Sequence, residues 1–160
     1  MLSRSRIVAL AIVSVTAALT SPPAARAQTP SPLELIAVSM SARVLSVVSG
    51  GFWQDADGTA RGYYRIVALR SADNTSRLYL QRIRLGADGP VLIDSAEVTA
   101  LTDMRAYVTD MRPENSTGRA ERTGFAAFVY LKRDPAVIEP ETFALFVDDF
   151  GDVSFQPATN

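Results

Sequence analysis

Four aromatic residues flank one short loop, Phe52-Trp53 on its near side and Tyr63-Tyr64 on its far side. Aromatic side chains give large, rigid contact at low entropic cost, which suits stacking on sugar rings or anchoring a peptide. Beside them Arg65, Arg70, Arg77, Arg82 and Arg84 fall in one expected hairpin. A four-residue turn would set Arg70 opposite Arg77 and Arg65 opposite Arg82. Like charges directly opposite destabilise a strand pair, so a bound anion, nearby carboxylates or a shifted register must compensate. The candidate ligand-binding residues are therefore Trp53, Tyr63, Tyr64, Arg65, Arg82 and Arg84.

Two acidic knots invite a metal reading, Asp55-Ala56-Asp57-Gly58 and Asp148-Asp149 with Asp152. Aligning Gly58 with the sharp-turn glycine of a calcium loop puts Trp53 at the first ligand position and Tyr64 where a bidentate glutamate belongs. Neither can ligate as required, so the loop is no EF-hand. Aspartate in turns bonds its own backbone, and Asp-Gly is a standard reversal signal. No metal and no cofactor is expected.

The chain contains no histidine and no cysteine. A Ser-His-Asp triad, a cysteine nucleophile, a histidine-ligated zinc and an iron–sulfur site are all excluded. Hydrolysis by two carboxylates needs neither residue type, but it needs them facing across a groove roughly 5–10 Å apart. No catalytic constellation is visible in the sequence.

The elements that must position these residues are short and apolar. Tyr63 to Arg70 and Arg77 to Leu85 form the arginine-bearing hairpin. In its second strand Leu78 and Leu80 keep one phase, and Ile83 and Leu85 the other, which predicts a bulge near Gln81-Arg82. Val91 to Ile93, Glu97 to Leu101 and Arg105 to Met111 are shorter strands. A polar loop covers Arg112 to Arg122, and Gly124 to Lys132 is a core strand apolar on both faces. Thr142 to Val147 and Val153 to Gln156 close the chain as a hairpin. The expected core is Val67, Leu69, Leu78, Leu80, Phe125, Ala127, Val129, Leu131 and Leu145. Leu33 to Val48 carries both periodicities: a capping box at Ser31-Pro32-Leu33-Glu34 favours a helix, while dense β-branched residues favour one long strand. The strand reading gives this stretch partners and is preferred, with a helix within about 31–48 as the alternative.

Seven to nine short strands with frequent turns predict an all-β, antiparallel sandwich, for which an immunoglobulin-like topology is one form. Ahead of it, Arg4 and Arg6, a 13-residue apolar run from Ile7 to Leu19 and Ala25-Arg26-Ala27 make a signal-peptide pattern over residues 1–27. At 1.5 Å per residue such a run spans only about 20 Å, short of a membrane core of roughly 30 Å. Residues 28–32 are a flexible lead-in, and 33–160 a single β domain. After cleavage the 133-residue product carries 13 basic and 17 acidic residues, a net charge of −4. That balance speaks against nucleic acid as a partner. The product is expected in the periplasm or outside the cell, not spanning the membrane, and free of disulfides. The leading functional expectation is an exported, non-catalytic β-sandwich that binds a protein or a cell-envelope component. A carbohydrate-binding module using Trp53 with Tyr63 or Tyr64 comes second, and a small carboxylate-dependent hydrolase third. Of Phe52 and Trp53, Trp53 is expected to pack inward.

Overall fold

The computed structural model describes residues 31–114 and 123–159. The expected signal peptide, the start of the lead-in and residues 115–122 of the polar loop lie outside them. The chain divides into two units, Met1–Ala37 and Val38–Asn160.

In the first stretch the two periodicities divide the sequence between them. Helix α1 spans Pro32–Val38 and is followed, after a turn, by strand β1 at Val44–Gln54. The single long strand expected from Leu33 to Val48 is not formed. Proline fits the first turn of a helix, where its missing N–H has no partner to lose, and Leu35 N donates to Ser31 O at 3.0 Å. Ser41 opens the turn into β1, its carbonyl accepting Val44 N at 3.0 Å and its Oγ accepting Arg43 N at 3.2 Å.

Beyond β1 the second unit continues through β2 (Arg61–Arg70), β3 (Ser76–Gly86), β4 (Gly89–Glu97), helix α2 (Thr99–Asp103), β5 (Tyr107–Pro113), β6 (Phe125–Lys132), β7 (Glu141–Val147) and β8 (Val153–Pro157). The strands form two four-stranded antiparallel sheets in the orders β1-β2-β3-β4 and β5-β6-β7-β8. The domain is thus the expected all-β, sandwich-like fold. Each sheet is a simple meander, so the immunoglobulin-like form, which needs Greek-key connections, is not adopted.

Val91–Ile93 and the start of the next candidate strand merge into the one strand β4. Thr99 to Leu101, expected as the end of a strand, belong instead to the short helix Thr99–Asp103, which buries Leu101 and carries the chain from one sheet to the other. The core lies between the sheets. Ile66, Ala68 and Leu78 meet Ala127, Val129, Leu131, Leu145 and Val147, all almost fully buried. Val67 and Leu69 belong instead to the opposite, partly exposed face of β2. Tyr63 to Arg70 is apolar on both phases, so alternation alone does not choose its core face.

The bulge does occur opposite the predicted position, between Arg82 and Ile83, but its extra residue, Ile93, sits on β4. Strand β3 itself keeps strict alternation. Ile83 is consequently buried on the outer face, opposite Tyr63 and Leu92, and Leu85 is exposed. The hairpin register also differs from the four-residue expectation. Ser71 to Thr75 form a five-residue loop closed by Ser71 N to Thr75 O at 2.8 Å, with Asn74 at φ 64°. Arg77 therefore lies opposite Leu69, and Arg65 opposite Gln81. Within this hairpin no arginine opposes an arginine, so the pairing itself calls for no compensating anion.

Candidate functional site

Two local features turn Trp53 inward. Gly51, at φ 64°, forms a bulge between Gly50 and Trp53, and the extra residue puts Trp53 on the same face as Gly50. Across the strand pair stands Gly62, where a methyl group would come within 2.9 Å of Trp53 Cζ2. The indole occupies the space left by that missing side chain. Trp53 is 4% exposed and its Nε1 donates to Tyr63 O at 3.2 Å. Phe52 stays partly accessible and bridges to Gly124 through Phe52 N to Gly124 O at 3.0 Å and Gly124 N to Phe52 O at 2.8 Å. That bridge joins the two sheets at β1, so the opposite side of the sandwich ends in the edge strands β4 and β8, which have no further strand partner among the described residues.

On that side an open groove of about 420 Å³ runs between the inner face of the first sheet and the β7–β8 turn. Trp53, Tyr64, Leu80, Arg82, Asp94 and Ala96 supply one wall. Asp149, Phe150, Gly151 and Val153 supply the other, with Asp55 at the end where β1 leaves the sheet. Arg82 holds its guanidinium carbon 5.6 Å from the Trp53 ring centroid, a cation–π distance, while its Nε lies 3.8 Å from Asp94 Oδ2. Burial pushes the Tyr64 hydroxyl above its usual value of 10.0; Arg82 opposes that shift and Asp148 adds to it.

Val153 shares the inward phase of its buried partner Val147 and yet remains 50% exposed. Residues 90–96 of β4 are exposed throughout, among them Val91, Leu92 and Ile93. Phe150, at the tip of the turn, is 92% exposed. The sandwich therefore leaves apolar surface uncovered at Val153 on the inner phase and along β4, with Leu92 on its outer face, beside two strand edges without a further strand partner among the described residues.

Of the six residues singled out in the sequence, Trp53, Tyr64 and Arg82 converge here. Tyr63 and Arg65 point to the other face of β2, where Arg65 Nε donates to Gln81 Oε1 at 2.7 Å. Arg84 follows Arg82 in phase but lies outside the groove. Of the aromatic residues expected as a sugar platform, Trp53 is buried beneath Arg82, Tyr64 shares its side of the sheet, and Tyr63 lies on the other face. Asp94, Ala96 and Phe150 are among the groove residues that the sequence had not marked as a site, and Asp149 stood out there only within an acidic turn. An apolar residue at the tip of Asp149-Phe150-Gly151-Asp152, where turns favour polar side chains, was the one available signal.

The acidic knots are turn caps. Asp57 Oδ1 accepts Thr59 N at 3.1 Å and Thr59 Oγ1 at 2.8 Å, and these bonds hold its carboxyl below the ordinary value. Asp148 Oδ1 accepts both Phe150 N and Asp152 N at 2.9 Å, and Asp149 Oδ1 accepts Thr123 Oγ1 at 2.9 Å. Among the described residues no group of three acidic side chains is placed to hold a metal ion, and no helix is long and apolar enough to cross a membrane. Comparison with protein-family models, with curated proteins and with solved structures finds no match.

Proposed function

We propose that the chain is an exported, non-catalytic binding domain, and that an extended segment of a partner protein lies along the open side between β4 and the β7–β8 turn. The observation that carries this reading is the uncovered side itself. Inward-phase Val153 and the apolar run Val91-Leu92-Ile93 are exposed beside two free strand edges. A free edge presents unpaired N–H and C=O groups, and an added strand satisfies them while its alternate side chains fill the groove. A volume of 420 Å³ accommodates several side chains, since one water claims about 30 Å³ of the liquid. Export rests on the signal-peptide pattern of residues 1–27, and the absence of histidine and cysteine supports a binding role over catalysis.

Binding is tested with a library of ten-residue peptides, monitored through Trp53, the single tryptophan. Ala96 lines the groove and is exposed, so Ala96→Phe narrows the groove without disturbing the core. Peptides rich in β-branched residues are expected to bind the wild type and to lose at least about tenfold in affinity, or 1.4 kcal/mol, against Ala96→Phe. A library without binders, or binders indifferent to Ala96→Phe, would remove this reading. Export is tested by the mass of the product recovered outside the cytoplasm, which should begin at or near Gln28.

A further inference from the structure

We infer that the segment accepted by this groove carries a cationic side chain, a guanidinium or an amine, among apolar neighbours. The inference rests on the binding reading above and concerns the chemistry of the occupant. The groove holds three carboxylates, Asp55, Asp94 and Asp149, and one cation, Arg82. They stand on separate elements: Asp55 follows β1, Asp94 lies on β4, and Asp149 is in the β7–β8 turn.

The cation already has its partners, because Arg82 lies over Trp53 and beside Asp94. With that pair balanced, Asp55 and Asp149 leave the groove two charges negative. Asp149 uses Oδ1 to accept Thr123 Oγ1, and a carboxylate has further acceptor sites on both oxygens. A groove walled by one sign of charge raises the local concentration of the opposite sign and disfavours a like-charged ligand.

The apolar part of the lining matches the rest of such a side chain. Tyr64, Leu80, Phe150 and Val153 share the groove with the carboxylates. Lysine and arginine lay their methylene stems on apolar surface while the charged head reaches toward polar partners. A neutral apolar residue would gain only the first contact, and an acidic residue would meet repulsion.

The test compares three blocked peptides, Thr-Val-Arg-Val-Thr and its versions with Gln or Glu at the centre. Each is titrated against the folded domain and against the double variant Asp55→Asn, Asp149→Asn, with melting temperature checking that the variant folds. The Arg peptide should bind about tenfold tighter than the Gln peptide, and the Glu peptide weakest. Both differences should shrink at 1 M salt, where the screening length falls to about 3 Å, and the Arg preference should vanish in the double variant. Equal binding of all three, lost on Ala96→Phe, would overturn the charge inference and leave the groove reading standing. Tightest binding of the Glu peptide would overturn it as well. Absence of binding by all three would overturn both.

Discussion

Trp53→Ala is the perturbation from which the structure allows the firmest magnitude. The indole is 4% exposed, packs across Gly62, and donates Nε1–H to Tyr63 O. A buried aromatic residue removes about 150–250 Å² from water, which at about 25 cal/mol per Å² is an upper bound of roughly 4–6 kcal/mol. Truncating a buried aromatic residue to alanine commonly costs about 3–5 kcal/mol. One side of the ring borders the open groove, so water enters the space vacated and the cavity contribution falls. The expected loss is therefore near the lower end, about 3 kcal/mol. Trp53→Phe keeps most of the apolar contact but loses the donor to Tyr63 O, and should cost about 1–2 kcal/mol. Urea denaturation followed by far-ultraviolet circular dichroism measures both, since neither variant has a tryptophan left to report. A loss under 1 kcal/mol for Trp53→Ala, with the slope on urea unchanged, would refute the inward packing of Trp53 and with it the described end of the groove.

Val129, fully buried among the strands of the second sheet, should not tolerate charge: Val129→Asp is expected to cost more than about 4 kcal/mol, and a normally melting variant would refute the core assignment. Gly51→Ala should also destabilise, because a side chain there would strike Gly124 O at φ 64°; thermal melting checks it, and an unchanged midpoint would contradict the Phe52–Gly124 bridge. Glu97 accepts Thr102 Oγ1 at 2.6 Å and Arg77 Nη1 at 2.9 Å, and these bonds hold its carboxyl below its ordinary 4.5. A depressed folded value means that its contribution is complete above 4.5 and is lost as the pH falls through the folded value; Glu97→Gln should flatten the acid limb of the stability curve there, and an unaltered limb would count against the interaction.

The core face of β6 was legible in the sequence. Phe125, Ala127, Val129 and Leu131 alternate as expected and bury one face of β6. Val67 and Leu69 were misplaced because β2 offers apolar residues on both phases, and only its partners decide which phase meets the core. The register error came from counting a four-residue turn, while Asn74 in the left-handed region makes a five-residue loop. For residues 33–48, the capping signal around Pro32 prevailed locally and the β-branched run prevailed from Val44 onward. Part of the groove was visible as Trp53, Tyr64 and Arg82 because a single hairpin and its neighbour carry them. Asp94 and Asp149 join them only through the pairing of β4 and the approach of the second sheet, which depend on contacts distant in sequence.

Amide hydrogen exchange tests the central claim most directly, because an added strand must satisfy the backbone groups of the edge that it joins. The domain is measured alone and saturated with the Thr-Val-Arg-Val-Thr peptide. The open-side account predicts slowed exchange confined to residues 91–96 of β4, residues 153–156 of β8, or both, with Trp53 emission shifting in parallel. Saturating peptide that slows exchange elsewhere, such as on β5 or the outer face of β2, and leaves both edges unchanged would contradict it.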